Sequence, residues 1–181
     1  MATYTKEEQN FIRQLEREIE AVATVTPKER QALYQAAEQG DNDAIERICE
    51  LMTSDVLNVA KEKHLDGIHI GDLIQEGHLS LFESLKHLAE KEAELSYEAF
   101  TLDAIRKGMD DFIMETANTA QSEHDITTKL NLLIEAAEYL IEEYGEVTME
   151  DVASYTKLDA DEINELLRIA GEEGLFKEEE A

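Results

Sequence analysis

Apolar residues recur every three or four positions along most of this chain, and the segments with this spacing begin at residues suited to helix caps. Thr5 with Glu8 forms a capping-box pattern, Thr26 precedes a proline, and Asp41 precedes a third periodic segment. Because the spacing places apolar side chains on one face of a helix, each segment predicts an amphipathic helix. One proline and eight glycines are too few for an all-β chain. The predicted fold class is all-α.

The charge of the chain restricts its partners. It contains 43 acidic and 16 basic residues, a net charge of −27. Residues 114–181 contain 19 acids and four bases, a net charge of −15. Such a surface repels phosphate backbones and attracts basic proteins. We therefore expect a basic protein partner rather than unaided binding to nucleic acid.

Cysteine usage and the apolar pattern indicate the compartment. Cys49 is the single cysteine, so no internal disulfide can form, which favours a reducing environment. The first residues, MATYTKEEQNF, lack the apolar run of a secretion signal, and no run is long enough to span a bilayer. We expect a cytoplasmic protein without membrane contact.

Side chains suited to catalysis or metal binding are present, but their spacing does not fit either role. Four histidines fall close together at His64, His69, His78 and His87, and none has a glutamate three positions before it, as paired di-iron ligands would. Cys49 lies in the apolar stripe of its predicted helix, where a thiol acts as a small hydrophobe. The chain has no glycine-rich phosphate loop and no H-E-x-x-H motif. We predict no catalytic residue, no metal and no cofactor, in a protein that is not an enzyme.

The chain is predicted to contain an N-terminal helix extension and two helical domains. The extension covers residues 1–24, the main domain residues 25–120, and a small acidic three-helix domain residues 121–181, with a frayed tail. The polar tract AQSEHD is predicted to be a linker. The small domain has helix-turn-helix spacing, but its last predicted helix, Asp159 to Glu173, contains six acids. A partner-binding unit therefore fits this domain better than a DNA reader.

The segment DLIQEGHLSLFESL predicts an amphipathic helix with a glycine in its interior. Asp72 is predicted to cap it, and Gln75, Glu76 and His78 fall away from the apolar stripe. The predicted stripe consists of Leu73, Ile74, Leu79, Leu81, Phe82 and Leu85. Gly77 inside a helix costs about 1 kcal/mol relative to alanine. Either a close approach of another helix or a partner lying across this one would explain the glycine.

The residues around this segment resemble a known family. The bacterial RNA polymerase sigma factors of the sigma-seventy family are similar to two runs here, VTPKERQALYQAAEQGDNDAIERICELMTSDVLNVAKEK and GIHIGDLIQEGHLSLFESL. The similarity resumes at YEAFTLDAIRKGMDDFI, and a later run, EVTMEDVASYTKLDADEINELL, resembles the next domain of the family. It covers roughly residues 25–170, with DLIQEG as its most specific motif. The resemblance implies a sigma-factor-like helical domain followed by a small helix-turn-helix-like domain.

The resemblance also implies an RNA polymerase partner. In this family the DLIQEG helix docks on the clamp coiled coil of the largest catalytic subunit of the polymerase core. Carried over by position, this contact would be made by Asp72, Leu73, Ile74, Gln75, Glu76, His78 and Phe82. His78 and Phe82 replace the asparagine and methionine usual in the family, whereas the acid and amide positions are kept.

The promoter-reading positions depart from the family pattern. Tyr97 and Phe100 would align with aromatic residues that capture flipped promoter bases, and Arg106 and Lys107 are kept as basic residues. Asp103, however, replaces a family tryptophan. Base capture needs aromatic faces in positive surroundings, so we expect promoter DNA to bind weakly or only with a partner protein. We also expect this chain to lack the family domain that reads the minus-thirty-five element.

Three functions remain open from the sequence. The first is a divergent sigma-like transcription initiation factor that binds polymerase core through the DLIQEG helix, with weakened or partner-dependent promoter recognition. The second is a polymerase-binding regulator that occupies the sigma site without opening promoters. The third is a helical adaptor with an unrelated basic partner.

Overall fold

The computed structural model describes residues 3–92 and 94–171, and this part of the chain contains helices and no strand. The helices are α1 (Lys6–Ala21), α2 (Pro27–Glu38), α3 (Asn42–Lys63), α4 (Ile70–Lys86), α5 (Tyr97–Tyr144), α6 (Met149–Thr156) and α7 (Ala160–Ala170), with a 3₁₀ turn at Leu88–Glu90. The predicted all-α fold class is confirmed. None of these helices is long and apolar enough to cross a membrane.

Most helices begin where the capping pattern predicts. Thr5 and Thr26 each accept a hydrogen bond from the backbone three residues on, and a glutamate there bonds back to complete a capping box. Thr148 and Asp151 form the same arrangement at the start of α6. Gly40 follows α2 with a φ of +86°, a left-handed conformation that glycine adopts without strain.

The start of α4 differs from the prediction. The cap is His69 rather than Asp72, and its Nδ1 accepts a hydrogen bond from Gly71 N at 3.1 Å. Asp72 lies inside the first turn, where a negative charge interacts favourably with the helix dipole. The helix begins earlier because Ile70 is fully buried in the core and its backbone N–H is already bonded by a distant side chain.

That distant side chain is Glu8, which connects α1 to the start of α4. Glu8 is 4% exposed, and its Oε1 accepts a hydrogen bond from Ile70 N at 3.0 Å and lies 3.4 Å from His64 Nε2. Its Oε2 accepts from the N–H and the hydroxyl of Thr5 at 2.8 and 2.9 Å. The hydrogen bonds from Ile70 and Thr5 lower the pKa of Glu8 from 4.5 to about 2. One carboxylate thus completes the cap of α1 and satisfies an otherwise unpaired N–H of α4.

The chain forms two compact units, residues 1–116 and 117–181, and each has a core of its own. The largest fully buried side chains of the first are Tyr34, Ile48, Val56, Ile70, Leu73, Leu81, Leu85, Leu88, Ile105 and Met109. The core of the second consists of Leu133, Ala136, Ala137, Leu140, Val152, Ile163 and Leu167. In the first unit α1 contributes Ile12 to the core, so this N-terminal helix is part of the packed structure.

Helix packing explains the glycine inside α4. A Cβ at Gly77 would lie 3.0 Å from Val56 Cγ1 on α3 and would overlap the end of the Met109 side chain on α5. At the same contact, a Cβ at Gly108 on α5 would lie 2.6 Å from Ser80 Cβ on α4. Small residues on both helices therefore allow a close approach. The sequence left two explanations for Gly77, a close approach of another helix or a partner lying across α4. The structure shows the close approach.

The polar tract predicted to be a linker is instead helical. Residues 120–125 lie within α5, which continues from Tyr97 to Tyr144. The tract contains no glycine or proline, and its polar side chains can bond along the helix, as Gln121 Nε2 does to Asp125 Oδ1 at 2.7 Å. The prediction was wrong because polarity alone does not interrupt a helix.

Replacing the buried carboxylate with its neutral amide tests its role in stability. We expect Glu8→Gln to lower the free energy of unfolding at pH 7 by about 1–3 kcal/mol. The substitution removes the charged carboxylate that accepts hydrogen bonds from Thr5 at the start of α1 and from Ile70 at the start of α4. Since the folded-state pKa is depressed, this contribution is present above pH 4.5 and is lost as the pH falls towards 2. Urea unfolding at pH 7 and pH 3 measures both effects, with the exposed Glu7→Gln as control. An equal loss of stability at both pH values would contradict the assignment.

A methyl group added at the α4–α5 contact tests the close approach. We expect Gly108→Ala to destabilise the chain by about 1–2 kcal/mol, since overpacking outweighs a gain in helix propensity of about 1 kcal/mol. Removing the opposing Cβ with Ser80→Gly in the same chain should recover most of the loss. Thermal and urea unfolding of the single and double variants measure this. A Gly108→Ala variant more stable than the parent would rule out the tight contact.

Candidate docking surface

One side of α4 is exposed to solvent. The residues on it, spaced three or four apart, are Asp72, Gln75, Leu79, Phe82, Glu83 and Lys86, with Glu76 half-buried at the edge. Leu79 is 50% exposed and Phe82 is 38% exposed, although both are large apolar side chains. We call these seven residues the α4 face. Apolar residues exposed side by side within a polar border are typical of surfaces that bind another protein.

Two of the predicted contact residues are buried beneath this surface. Leu73 is 0% exposed and Ile74 is 4% exposed, and both pack in the core of the first unit. They cannot contact a partner while α4 stays folded, because the side of the helix that carries them faces the core. Their part is to hold α4 in the orientation that exposes the opposite side.

Leu79 lies on the surface, although the apolar pattern of the sequence predicted it to be part of the buried stripe. It lies two positions from both Gly77 and Leu81, which are buried, and two residues in a helix correspond to a rotation of about 200°. This angle places Leu79 on the opposite side from the core. The signal was in the sequence: a stripe built on Leu81 and Leu85 excludes position 79 by helical geometry.

His78 lies beside the α4 face in a groove that reaches α1. Its Nδ1 is 3.0 Å from the Ile74 carbonyl oxygen, and its Nε2 is 3.3 Å from Thr53 Oγ1 on α3. The groove has a volume of about 530 Å³, and its apolar lining includes Leu15 and Ile19 of α1. The imidazole is half-buried and held by α3 and by its own helix, so only part of it is available to a partner.

The charges on the α4 face are mainly negative. Asp72, Glu76 and Glu83 carry acids, and the single cation of the set, Lys86, has its Nζ 4.0 Å from the centre of the Phe82 ring. This cation–π contact covers one side of the ring, while the exposed remainder of Phe82 lies one turn from Leu79. The arrangement suits a partner surface that combines basic and apolar side chains.

The predicted base-capturing residues are engaged within the fold. The Tyr97 ring stacks on Tyr34 at a centroid distance of 5.1 Å, and its hydroxyl donates to Glu38 Oε2 at 2.9 Å. Lys91 Nζ lies 5.1 Å from the centre of the same ring. Phe100 is half-buried and packs against the core. A base would have to displace these contacts to stack on either ring.

The two predicted basic residues are exposed, but acids surround them. Arg106 Nη2 lies 3.6 Å from Glu62 Oε2, and Lys107 is exposed on the same helix as Asp103 and Asp110. Lys63 on α3 forms an ion pair with Asp110. Weak surface ion pairs of this kind leave the local charge close to neutral, which gives little attraction for a phosphate backbone.

Among the residues that the structure describes, the remaining reactive side chains are not arranged for catalysis or metal binding. Cys49 is half-buried against the core, and desolvation together with the nearby Glu46 raises the pKa of its thiol to about 11. A thiol with so high a pKa is a poor nucleophile. Within residues 3–92 and 94–171, no group of three His, Cys, Asp or Glu side chains is placed to hold a metal ion.

Three curated proteins that are similar in sequence to this chain are all RNA polymerase sigma factors. The RNA polymerase sigma factor SigA of Clostridium acetobutylicum is 27% identical over 162 residues, which are 89% of this chain and 43% of that protein. The SigA proteins of a Bacillus species and of Listeria monocytogenes are 25% and 26% identical over the same shares. No family model matches the chain.

These similarities extend over most of the chain but only part of each relative. The chain spans less than half the length of the curated relatives that it matches. The same relationship was implied by the DLIQEG motif and the runs around it. This chain is a divergent relative of the sigma-seventy family of bacterial RNA polymerase sigma factors.

Proposed function

We propose that the chain is a sigma-like transcription initiation factor that docks on RNA polymerase core through the α4 face. The similarity to SigA sigma factors over 89% of the chain supports a role at this step of transcription. The observation that carries the docking proposal is the exposure of Leu79 and Phe82 on the same side of α4 as the exposed motif residues Asp72 and Gln75. These side chains form the outer side of a helix whose inner side is fixed in the core.

The chemistry of the α4 face fits the clamp coiled coil of the largest catalytic subunit as the docking partner. The carboxylates of Asp72 and Glu76 would pair with basic side chains, and the Gln75 amide would bond to polar groups beside them. Leu79 and Phe82 would be removed from water in the interface and so contribute a favourable apolar contact. The net charge of −27 would speed association with a basic surface and make it sensitive to salt.

A second candidate function is a regulator that occupies the sigma site without opening promoters. The observation that favours it is the packing of Tyr97, whose ring is stacked on Tyr34 and bonded to Glu38. A factor that opens DNA by itself needs free aromatic faces for the unpaired bases. On this account the chain binds the polymerase but leaves promoter recognition to another protein.

Substitutions on the α4 face test docking. We expect Gln75→Ala with Glu76→Ala to weaken binding to polymerase core by about tenfold, or about 1.4 kcal/mol, and Leu79→Ser to weaken it at least as much. Fluorescence anisotropy of the labelled full-length chain, titrated with core polymerase, measures the Kd. The matched control is Gln14→Ala with Glu20→Ala, which removes the same residue types from the exposed side of α1. Equal affinity of the α4 variants and the parent would exclude this face as the docking site.

Promoter opening by the complex of this chain with polymerase core distinguishes the two candidate functions. If the chain is an initiation factor, the complex opens a promoter duplex, alone or once a DNA-binding partner is supplied, as read by permanganate reactivity of unpaired thymines. If it is a regulator, it displaces SigA from the core and no thymine becomes reactive. Failure to bind the core contradicts both.

A further inference from the structure

The second unit contains an open groove that the docking proposal does not use. The groove lies between the end of α5 and α6 and has a volume of about 490 Å³. Its apolar lining comes from Leu140, Val147, Tyr144 and Tyr155, and its polar lining includes Glu146 and Asp151. Leu140 also belongs to the core of this unit, so the floor of the groove is a fixed part of the fold.

The tyrosines of the two units have different environments. In the first unit Tyr4 stacks on His64, and Tyr34 stacks on Tyr97. In the second unit all three tyrosines are exposed, by 47% for Tyr139, 74% for Tyr144 and 52% for Tyr155. Tyr139 and Tyr155 lie side by side, with ring centres 5.5 Å apart. Exposed tyrosines beside an apolar groove are typical of protein-binding surfaces, because the ring is large, rigid and amphipathic.

The charges around the groove select the kind of partner. Asp151 completes the capping box at the start of α6, and its hydrogen bonds with the hydroxyl and backbone N–H of Thr148 lower its pKa, so it is ionised at neutral pH. Glu143 and Glu150 are exposed nearby in sequence. The nearest cation of the described residues along α6 is Lys157, whose Nζ donates to the Ser154 carbonyl at 2.7 Å. The described residues of this unit, 117–171, contain 13 acids and three bases, a net charge of −10, so the groove lies in a strongly negative field.

We propose that this groove binds a basic amphipathic segment of a partner protein, with an arginine or lysine held between the tyrosine rings and the acidic border. The tyrosine faces attract a cation through their quadrupoles, the carboxylates pair with it, and Leu140 and Val147 contact its apolar neighbours. Nucleic acid and a second copy of this chain are both disfavoured by charge, since each would bring further negative charge to the site. The groove lies wholly within the second unit, so the inference does not depend on docking through α4.

A defined peptide tests the inference on the full-length chain. The probe is a labelled helical peptide of about 14 residues that carries leucine on one side and arginine on the other. We expect it to bind, and expect Tyr144→Ser with Tyr155→Ser to weaken its binding by about tenfold. The control, Ile134→Ser, removes an apolar side chain that is 52% exposed on α5 but does not line the groove, and should leave the Kd unchanged. Circular dichroism establishes that each variant is folded.

Two further peptides separate a built site from general charge attraction. The same peptide with glutamate in place of arginine should not bind, and a scrambled peptide of the arginine composition should bind about tenfold more weakly. Equal binding of the scrambled peptide, or no effect of the tyrosine substitutions, would overturn the inference. It would also be overturned if a DNA duplex bound at the tyrosines, or if sedimentation showed a dimer that the tyrosine substitutions dissociate.

Discussion

The close contact of α4 with α3 and α5 determines which side of α4 is available to a partner. Gly77 lies against Val56 and Met109, and Gly108 lies against Ser80, so a bulkier residue at either glycine would have to displace its neighbours. The packing buries Leu73 and Ile74 and leaves Leu79 and Phe82 in solvent. If α4 were rotated about its axis by one residue, the buried pair would turn towards solvent and the exposed pair towards the core. The tight contact at the two glycines opposes such a rotation. The glycine is thus a packing residue whose consequence for function is the orientation of the helix.

Glu8 holds the other end of the same helix. Its carboxylate accepts a hydrogen bond from Ile70 N while completing the capping box of α1, which ties the first helix of the chain to the first turn of α4. A buried carboxylate is stabilising only when its oxygens are bonded, and here both are. The N-terminal helix, which lies outside the runs that resemble the sigma-seventy family, is therefore part of the support for the docking surface.

Local signals in the sequence predicted much of this fold. The caps at Thr5, Thr26 and Asp41 depend only on neighbouring residues, and each occurs as predicted. Features that depend on distant contacts were missed. The start of α4 at Ile70 depends on Glu8, which is 62 residues away in the chain.

The candidate site could be predicted only in part. The DLIQEG motif directed attention to α4, but a motif does not say which of its residues face the core. Leu73 and Ile74 were expected at the interface and are buried, whereas Leu79 was expected in the stripe and is exposed. Aromatic residues at promoter-reading positions, such as Tyr97, could not be recognised as packed residues, since the stacking on Tyr34 joins separate parts of the chain.

A photocrosslink from the α4 face tests the central claim most directly. A benzophenone amino acid placed at position 79, in the full-length chain mixed with polymerase core, should form a crosslink with the clamp coiled coil of the largest catalytic subunit. The same group at Glu20, exposed on α1, should give little or no crosslink to that element. Crosslinking from position 79 to no subunit, while the chain still binds the core, would show that polymerase docks elsewhere and would contradict the account.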